Sequence, residues 1–475
     1  MKSRVLLFAL LPSVALAQPA PAPTPTPPDQ PQNPPAADSP QWLPGVVDVT
    51  AAETAVPGKL TLTMARAVEI AQKTQPSLRQ SRASVEAAQG RVDSARVAEH
   101  PTVSLAGTVS ASSDPRGPCD ITMPNGPVCG GFFSGSYGTQ VGASASWKIY
   151  DFGLTAANVH AAEANADAAV SGVAVTSLDV RRDVEIAYLE ALARKRLTVV
   201  AEATVKSEDA HLDQAKRFVA AQAKDPIEVA QAQSRDSNAK SALAQAQSNE
   251  AVALANLRAA IGWIDPSRAP AVDPNWPTAA TDQPPDLGTL VQTARKFRPE
   301  IAQLDKEIYA ADASVTAAHA ERRPVLSANG AVAWSPGEDN WSPQPAWQAS
   351  LSLSWALFDG GRSHADVRVA NANLISAQAQ RDALLVSLTS ALESSRAQIV
   401  ANRANVDAST EAVTAAQAQL KLAEARYAQG LGSQIELADA QTAVTTASGN
   451  LISAEWQLAD AWATLRRAIG QQTAP

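Results

Sequence analysis

The stretch SWKIYDFGLT, Ser146–Thr155, returns as SWALFDGGRS, Ser354–Ser363, and its reading decides the fold. In both copies a run of alternating apolar residues carrying a tryptophan ends in aspartate and glycine. After them the chain becomes rich in alanine, glutamine, leucine and charge. Aspartate and glycine let a backbone turn sharply, so each copy marks a strand becoming a helix, at Asp151 and Gly153 and at Asp359 and Gly360. Asp359 stands 208 residues after Asp151, and the same 208 separates Ile261 in LRAAIG from Ile469 in LRRAIG, and Ile227 in IEVAQAQ from Ile435 in IELADAQ. Upstream the offset is 223, between Pro76 and Pro299 and between Pro101 and Pro324, so the first half carries 15 extra residues before Asp151. The chain of 475 residues is thus a tandem duplication of long units, unlike a short-period solenoid.

Ahead of each aspartate the period is two. Val103, Leu105, Gly107, Val109 and Ala111 alternate with polar or small residues, as do Val141, Ala143, Ala145, Trp147 and Ile149. The second half runs Leu326, Ala328, Gly330, Val332, Trp334, then Trp347, Ala349, Leu351, Leu353, Trp355 and Leu357. This is strand patterning with one wet face, one hairpin per half, each strand long enough to cross a bilayer when tilted. Trp334 and Trp347 fall at one end of the hairpins and Trp147 and Trp355 at the other, as two interfacial aromatic girdles require. A soluble sandwich is the competing reading, but its core would call for larger inward residues than alanine and glycine.

The remainder reads as helix. From about Ala156 to Ala223 and from about Arg362 to Gln429 no proline interrupts good helix formers. Leu385, Leu392, Ile399, Val406, Val413, Leu420 and Tyr427 recur every seven residues, a coiled-coil seam. Breaks at Asp225-Pro226 and Gly430-Leu431-Gly432 lead into return helices about half as long, and the helical stretches Pro76–His100 and Pro299–Arg323 can stack on them to fill the length.

Lys2, Arg4, the apolar run Val5–Leu11 and Ala15-Leu16-Ala17 read as a secretory signal over residues 1–17. A Pro-rich flexible leader follows over 18–58. The repeats span 59–262 and 284–470, with a linker over 263–283 and a tail over 471–475. No later run approaches the roughly 20 apolar residues of a spanning helix. Cys119 and Cys129, alone and close together in an exported chain, read as a local disulfide rather than a metal site. A net charge of -8 gives no basic footprint, so nucleic acid is excluded. No catalytic motif or cofactor loop occurs, and His100, His160, His211, His319 and His364 read as solvated surface.

The duplication, the two D-x-G junctions, LTLTMA at Leu60–Ala65, the segments around Pro76 and Pro299, and RYAQGLGSQIELADAQ from Arg426 together resemble the TolC-type outer-membrane efflux proteins over nearly all of Leu60–Gly470. The resemblance implies an α+β membrane protein: four transmembrane strands and long helical hairpins per chain, a homotrimer with a 12-stranded β-barrel in outer-membrane lipid, and a periplasmic helical tunnel continuous with it. It implies a passive exit channel of a tripartite efflux pump or type I secretion system, partnered by a periplasmic adaptor and an inner-membrane transporter, with no cofactor and no enzymatic step. The alternative is a periplasmic coiled-coil adaptor or scaffold without a pore; a stand-alone porin would need more strands per chain. By the same resemblance the adaptor docks at tips built on Asp225, Pro226, Gly430 and Gly432, and Glu436 and Asp439, three apart on one helix face, line the periplasmic gate, where threefold symmetry would gather six carboxylates into one acidic ring; a solvated helix face is the competing reading. The break at Gly430-Leu431-Gly432 folds the chain back, so the Tyr427 hydroxyl is expected to contact Glu228 or a neighbouring helix and hold the resting state closed. The first tip, RFVAAQAKDPIE, is expected to carry one residue more than RYAQGLGSQIE and lacks its glycines. The position matching a basic residue of some relatives is Gly432.

Overall fold

The computed structural model describes residues 61–114, 119–120, 128–129, 134–264, 271–273, 283–336 and 343–471. The signal, the leader, and most of the linker and tail lie outside the described residues. In chain order the elements are β1 (Thr61–Leu62), α1 (Met64–Thr74), α2 (Pro76–Arg96), β2 (Thr102–Asp114), β3 (Cys119–Asp120), β4 (Val128–Cys129), β5 (Ser134–Tyr150) and α3 (Leu154–Ala220). Then come α4 (Ile227–Ile261), β6 (Ala271–Val272), α5 (Leu287–Phe297), α6 (Pro299–Ala320), β7 (Val325–Pro336), β8 (Pro343–Ser354), α7 (Arg362–Ala428) and α8 (Gln434–Ile469).

The two long helices start 208 residues apart and are both 67 residues long, or about 100 Å. Their start is built by the repeated phrase. Gly153 and Gly361 take left-handed backbone, φ 96° and 90°, and the preceding aspartate reaches over them. Asp151 Oδ2 accepts from the Thr155 amide at 2.8 Å and from the Thr155 hydroxyl; Asp359 accepts from the Ser363 amide at 2.9 Å and from its hydroxyl. These bonds satisfy amides that a helix start leaves open. They hold the Asp359 carboxyl down at about 2. For Asp151, burial pushes upward, but the bonds from Thr155 outweigh it and the carboxyl lies below its usual range.

The four long strands form one antiparallel sheet in the order β2-β5-β7-β8. Val103, Leu105, Val109, Val141, Leu351 and Leu353 stand exposed on one face. The other face is polar, with Ser104 bonded to Ser144 at 2.8 Å and Ser146 donating to Asn329 at 3.0 Å. The sequence pattern carries the last strand on to Leu357, yet β8 stops at Ser354. Its counterpart β5 continues to Tyr150 because β7 pairs with it that far, whereas the outer edge of β8 has no partner among the described residues. Trp147 and Trp355 donate their indole N–H to the carbonyls of Glu99, the last residue of the helical turn before β2, and Arg322, two residues past the end of α6 and before β7. The register of the small ladder β3–β4 sets Cys119 opposite Cys129.

Each repeat has its own core. Val180, Val184, Leu257 and Ile261 pack with Ile70 and Leu78 in the first; Leu388, Leu392, Leu465 and Ile399 pack with Leu290 and Ile301 in the second. Leu392, Ile399 and Tyr427 of the predicted seam are buried. Part of the segment read as linker is a strand: β6 pairs in parallel with β1, and Tyr188 donates to the Leu62 carbonyl at 2.9 Å beneath them. The repeats meet where α3 lies against α6 and α8, through Asp167–Lys306 at 2.8 Å, Glu185–Arg466 at 2.8 Å, Asp179–Arg467 at 2.6 Å and Arg196–Glu455.

Candidate functional site

The far ends of the two helical hairpins come together into one site. Both long helices end in the same backbone motif, with the amide of Ala223 on the Phe218 carbonyl and that of Leu431 on the Arg426 carbonyl, each 2.9 Å. That motif needs a left-handed residue just past the helix. Gly430 supplies it at φ 75°, and Gln222, 208 residues earlier, supplies it at φ 57°. The first tip therefore carries no extra residue, contrary to the expectation from sequence. The apparent insertion came from aligning Arg217 with Arg426, and a glutamine takes the strained conformation that usually marks a glycine. Gln222→Gly should remove that strain and raise the thermal stability of the helical part by about 0.5–1 kcal/mol, read as a small rise in melting midpoint.

Asp225 caps its own tip, its carboxylate accepting from the Ile227 amide at 3.0 Å, with Pro226 at the helix start. Ser433 caps α8 by accepting from the Glu436 amide at 3.1 Å. A side chain at Gly432 would fit tightly: a Cβ there would lie 3.0 Å from the Tyr427 amide nitrogen and 3.2 Å from Arg426 Cβ. The cation at this tip is Arg426, which the sequence reading did not single out. Its Nε lies 3.3 Å from Glu436 Oε1.

Tyr427 is 1% exposed, packed with Ala423, Leu437, Ala440, Leu420 and edge-on to Phe218 of the other hairpin. Its hydroxyl donates to Glu228 Oε2 at 3.3 Å, and Lys224 lies 3.2 Å from the other Glu228 oxygen. The structure thus brings Tyr427 and Glu228 together across the two hairpins. It places Glu436 in a separate pair with Arg426 and leaves Asp439, one turn on, exposed. Among the histidines, His211 departs from solvated surface. It is half-buried and hydrogen-bonded to Ser207 at 3.2 Å, and burial pushes its pKa below the usual value.

The same architecture recurs among known proteins. The family described as outer membrane efflux protein matches residues 67–263 and 290–471, both repeats. This chain belongs to that family. It is 26% identical over 387 residues to protein CyaE of Bordetella pertussis, covering 80% of this chain and 78% of that one. In fold it is similar to a membrane protein from Pseudomonas aeruginosa, with a TM-score of 0.72, 22% identity and coverage of 86% and 92%. It is likewise similar to the open state of the MtrE outer membrane channel of Neisseria gonorrhoeae, with a TM-score of 0.70, 20% identity and coverage of 86% and 88%. Among the described residues no helix is long and apolar enough to cross a membrane.

Burial sets an alkaline limit on the helical part. Burial raises the Tyr427 phenol to about 12, with the Glu228 carboxylate adding to the effect, and burial raises that of Tyr188 to about 12. Both start from 10.0 when unfolded. Their packing is fully stabilising below pH 10 and is lost as pH rises from there through about 12, since the unfolded chain releases its protons first. The melting midpoint should fall across that window, and Tyr188→Phe with Tyr427→Phe should flatten the fall.

Proposed function

We propose that this outer membrane efflux protein is the passive exit duct of a tripartite pump or type I secretion system. In this reading it is a homotrimer whose twelve strands close a barrel in outer-membrane lipid, with the helices forming a periplasmic tunnel. A periplasmic adaptor docks at the helical tips around Asp225, Pro226, Gly430 and Gly432, and an inner-membrane transporter supplies the energy. Tyr427, Glu228, Glu436 and Asp439 form the gate, and Cys119 and Cys129 are joined beyond the first hairpin. The observation that carries the reading is the open four-stranded sheet, apolar and exposed on one face and polar on the other, running directly into helices of about 100 Å. Lipid offers no hydrogen bonds to strand edges, so copies of the chain must close them.

Crosslinking of outer-membrane fractions in mild detergent should trap a trimer that heating dissociates. A monomer there, or a chain that extracts without detergent, would return it to the periplasmic scaffold.

A further inference from the structure

The two strand-to-helix junctions share a phrase but differ in charge. At the first, Arg96 is matched by Glu163 at 2.5 Å, His160 lies 3.5 Å from the same carboxylate, and Lys148 lies 3.6 Å from Asp151. Glu99 adds a further carboxylate, so this end is anionic. At the second, shifts of 208 and 223 put Asn371 in place of Glu163, Arg368 in place of His160 and Arg322 in place of Glu99. Arg322 Nη2 lies 3.5 Å from His364 Nε2, and His364 and Arg368, one helical turn apart on α7, share a face. All three are exposed, and neither arginine has a carboxylate partner among the described residues. Asp359 is committed to the Ser363 amide and Asp366 lies beside Arg362. That leaves Glu321 against Arg322, Arg323 and Arg368, and this end is cationic.

Beside these cations the chain exposes apolar side chains. β8 stops at Ser354, and the loop after it leaves Leu357 79% and Phe358 91% exposed, against 39% for Ile149 and 56% for Tyr150 in the first copy. Trp355 ties the two features together. It has the parity of Leu351 and Leu353 on the apolar face, and its indole N–H is held by the Arg322 carbonyl. β5 is flanked by a strand on each side, yet Trp147, Ile149 and Tyr150 all stay exposed. A strand added to the open edge of β8 would therefore leave the second set accessible as well.

We propose that the second junction binds the headgroup of an anionic phospholipid, with Arg322, His364 and Arg368 holding the phosphate and Trp355, Leu357 and Phe358 set against the acyl chains. The inference rests on the channel reading above, which places the sheet in outer-membrane lipid, and adds to it a lipid class and a place. Aromatic residues gather where a bilayer meets water, so Trp355 sets this junction at the headgroups of the leaflet nearest the periplasm. A guanidinium fork matches phosphate oxygens in pairs. A zwitterionic lipid carries its own cation beside the phosphate, whereas an anionic one brings an uncompensated charge to the arginines. Each arginine near a membrane surface favours anionic lipid by about fivefold. The first junction offers no equivalent, because Glu163 and Asp151 already occupy its cations.

The test is a titration of delipidated full-length protein in mild detergent with dioleoyl-phosphatidylglycerol or dioleoyl-phosphatidylcholine, bound lipid being counted by native mass spectrometry. Phosphatidylglycerol should bind about 25-fold more tightly, the product of two such arginines. Arg322→Gln with Arg368→Gln should bring the two lipids level. Leu357→Ser with Phe358→Ser should weaken both lipids alike and keep the preference. Arg96→Gln with Lys148→Gln, which removes as many cations from the first junction, should leave the preference unchanged; an equal loss there would reduce the effect to net charge and overturn the site. Inorganic phosphate in about hundredfold excess should not displace the lipid, and displacement would overturn the lipid assignment in favour of a soluble anion. Equal binding of both lipids by a protein that is still a trimer overturns the site and leaves the channel reading standing. A monomer in mild detergent that binds neither lipid overturns both.

Discussion

Glu185→Ala is expected to lower the melting midpoint of the helical part by about 6–10 °C, the largest fall of any single carboxylate substitution on α3. The carboxylate is 3% exposed and accepts from Arg181 and Arg466, each at 2.8 Å. Removing it leaves two guanidinium groups facing each other in the joint between repeats without a counter-charge. Breaking a buried pair in this way costs about 3–5 kcal/mol, at roughly 2 °C per kcal/mol for a unit the size of one repeat. Glu185→Gln keeps an acceptor but loses the charge, and should fall in between. Asp366→Ala removes the partner of Arg362 from an exposed pair at 3.7 Å and should change stability by less than about 1 kcal/mol. Thermal unfolding followed by circular dichroism checks all three, and a Glu185→Ala protein melting like wild type would show that the joint does not depend on this carboxylate.

The parts of the fold legible in the sequence are those with a period or a fixed local chemistry. The alternation around Trp147 and Trp347, the seven-residue seam from Leu385 to Tyr427 and the aspartate-glycine turns at Asp151 and Asp359 are local signals, and strand, helix and junction lie where they place them. What was missed has no local signal. The strands β1 and β6 have two residues each, too few for a period, and are defined only by pairing across the repeat. Gln222 and Phe152 hold left-handed backbone, φ 57° and 54°, at positions where the other repeat has Gly430 and Gly360; tertiary structure overrides their preference. The pairs Glu185–Arg466 and Asp179–Arg467 join residues 281 and 288 positions apart, and nothing in either neighbourhood announces the other. Tyr427 shows the two cases in one residue: the seam predicted its burial, but only the fold brings Phe218 and Lys224 to it.

Charge neutralisation at the tips should separate Glu436 from Asp439. Both were expected to form one acidic ring, but Glu436 is matched by Arg426 within its own chain at 3.3 Å, whereas Asp439 is exposed. In a ring of three copies the pairs nearly cancel and the three Asp439 carboxylates supply the field. For a divalent cation about 6 Å from a carboxylate in water the attraction is roughly 1.4 kcal/mol, about tenfold in affinity for each carboxylate. Asp439→Asn should therefore weaken block by polyvalent cations from the periplasmic side by two to three orders of magnitude, on the order of what three such charges provide. Glu436→Gln removes a negative charge and leaves the Arg426 cation uncompensated at half exposure, so it should weaken block as well, and adding Arg426→Gln in the same chain should restore block close to the wild-type level. In the gate proposed above, opening is a different event, because it would part the two hairpins that Tyr427 and Glu228 join. A hydrogen bond to a charged acceptor contributes about 1.5 kcal/mol at the lower end of its range, so three of them bias a concerted opening by roughly 4–5 kcal/mol, or about a thousandfold. Tyr427→Phe should raise resting conductance steeply while leaving cation selectivity alone, and Asp439→Asn should do the reverse. Single-channel recording of the two variants checks the division of labour: equal effects of both on selectivity would place the phenol and the carboxylate in one ring and remove the distinction between lock and filter.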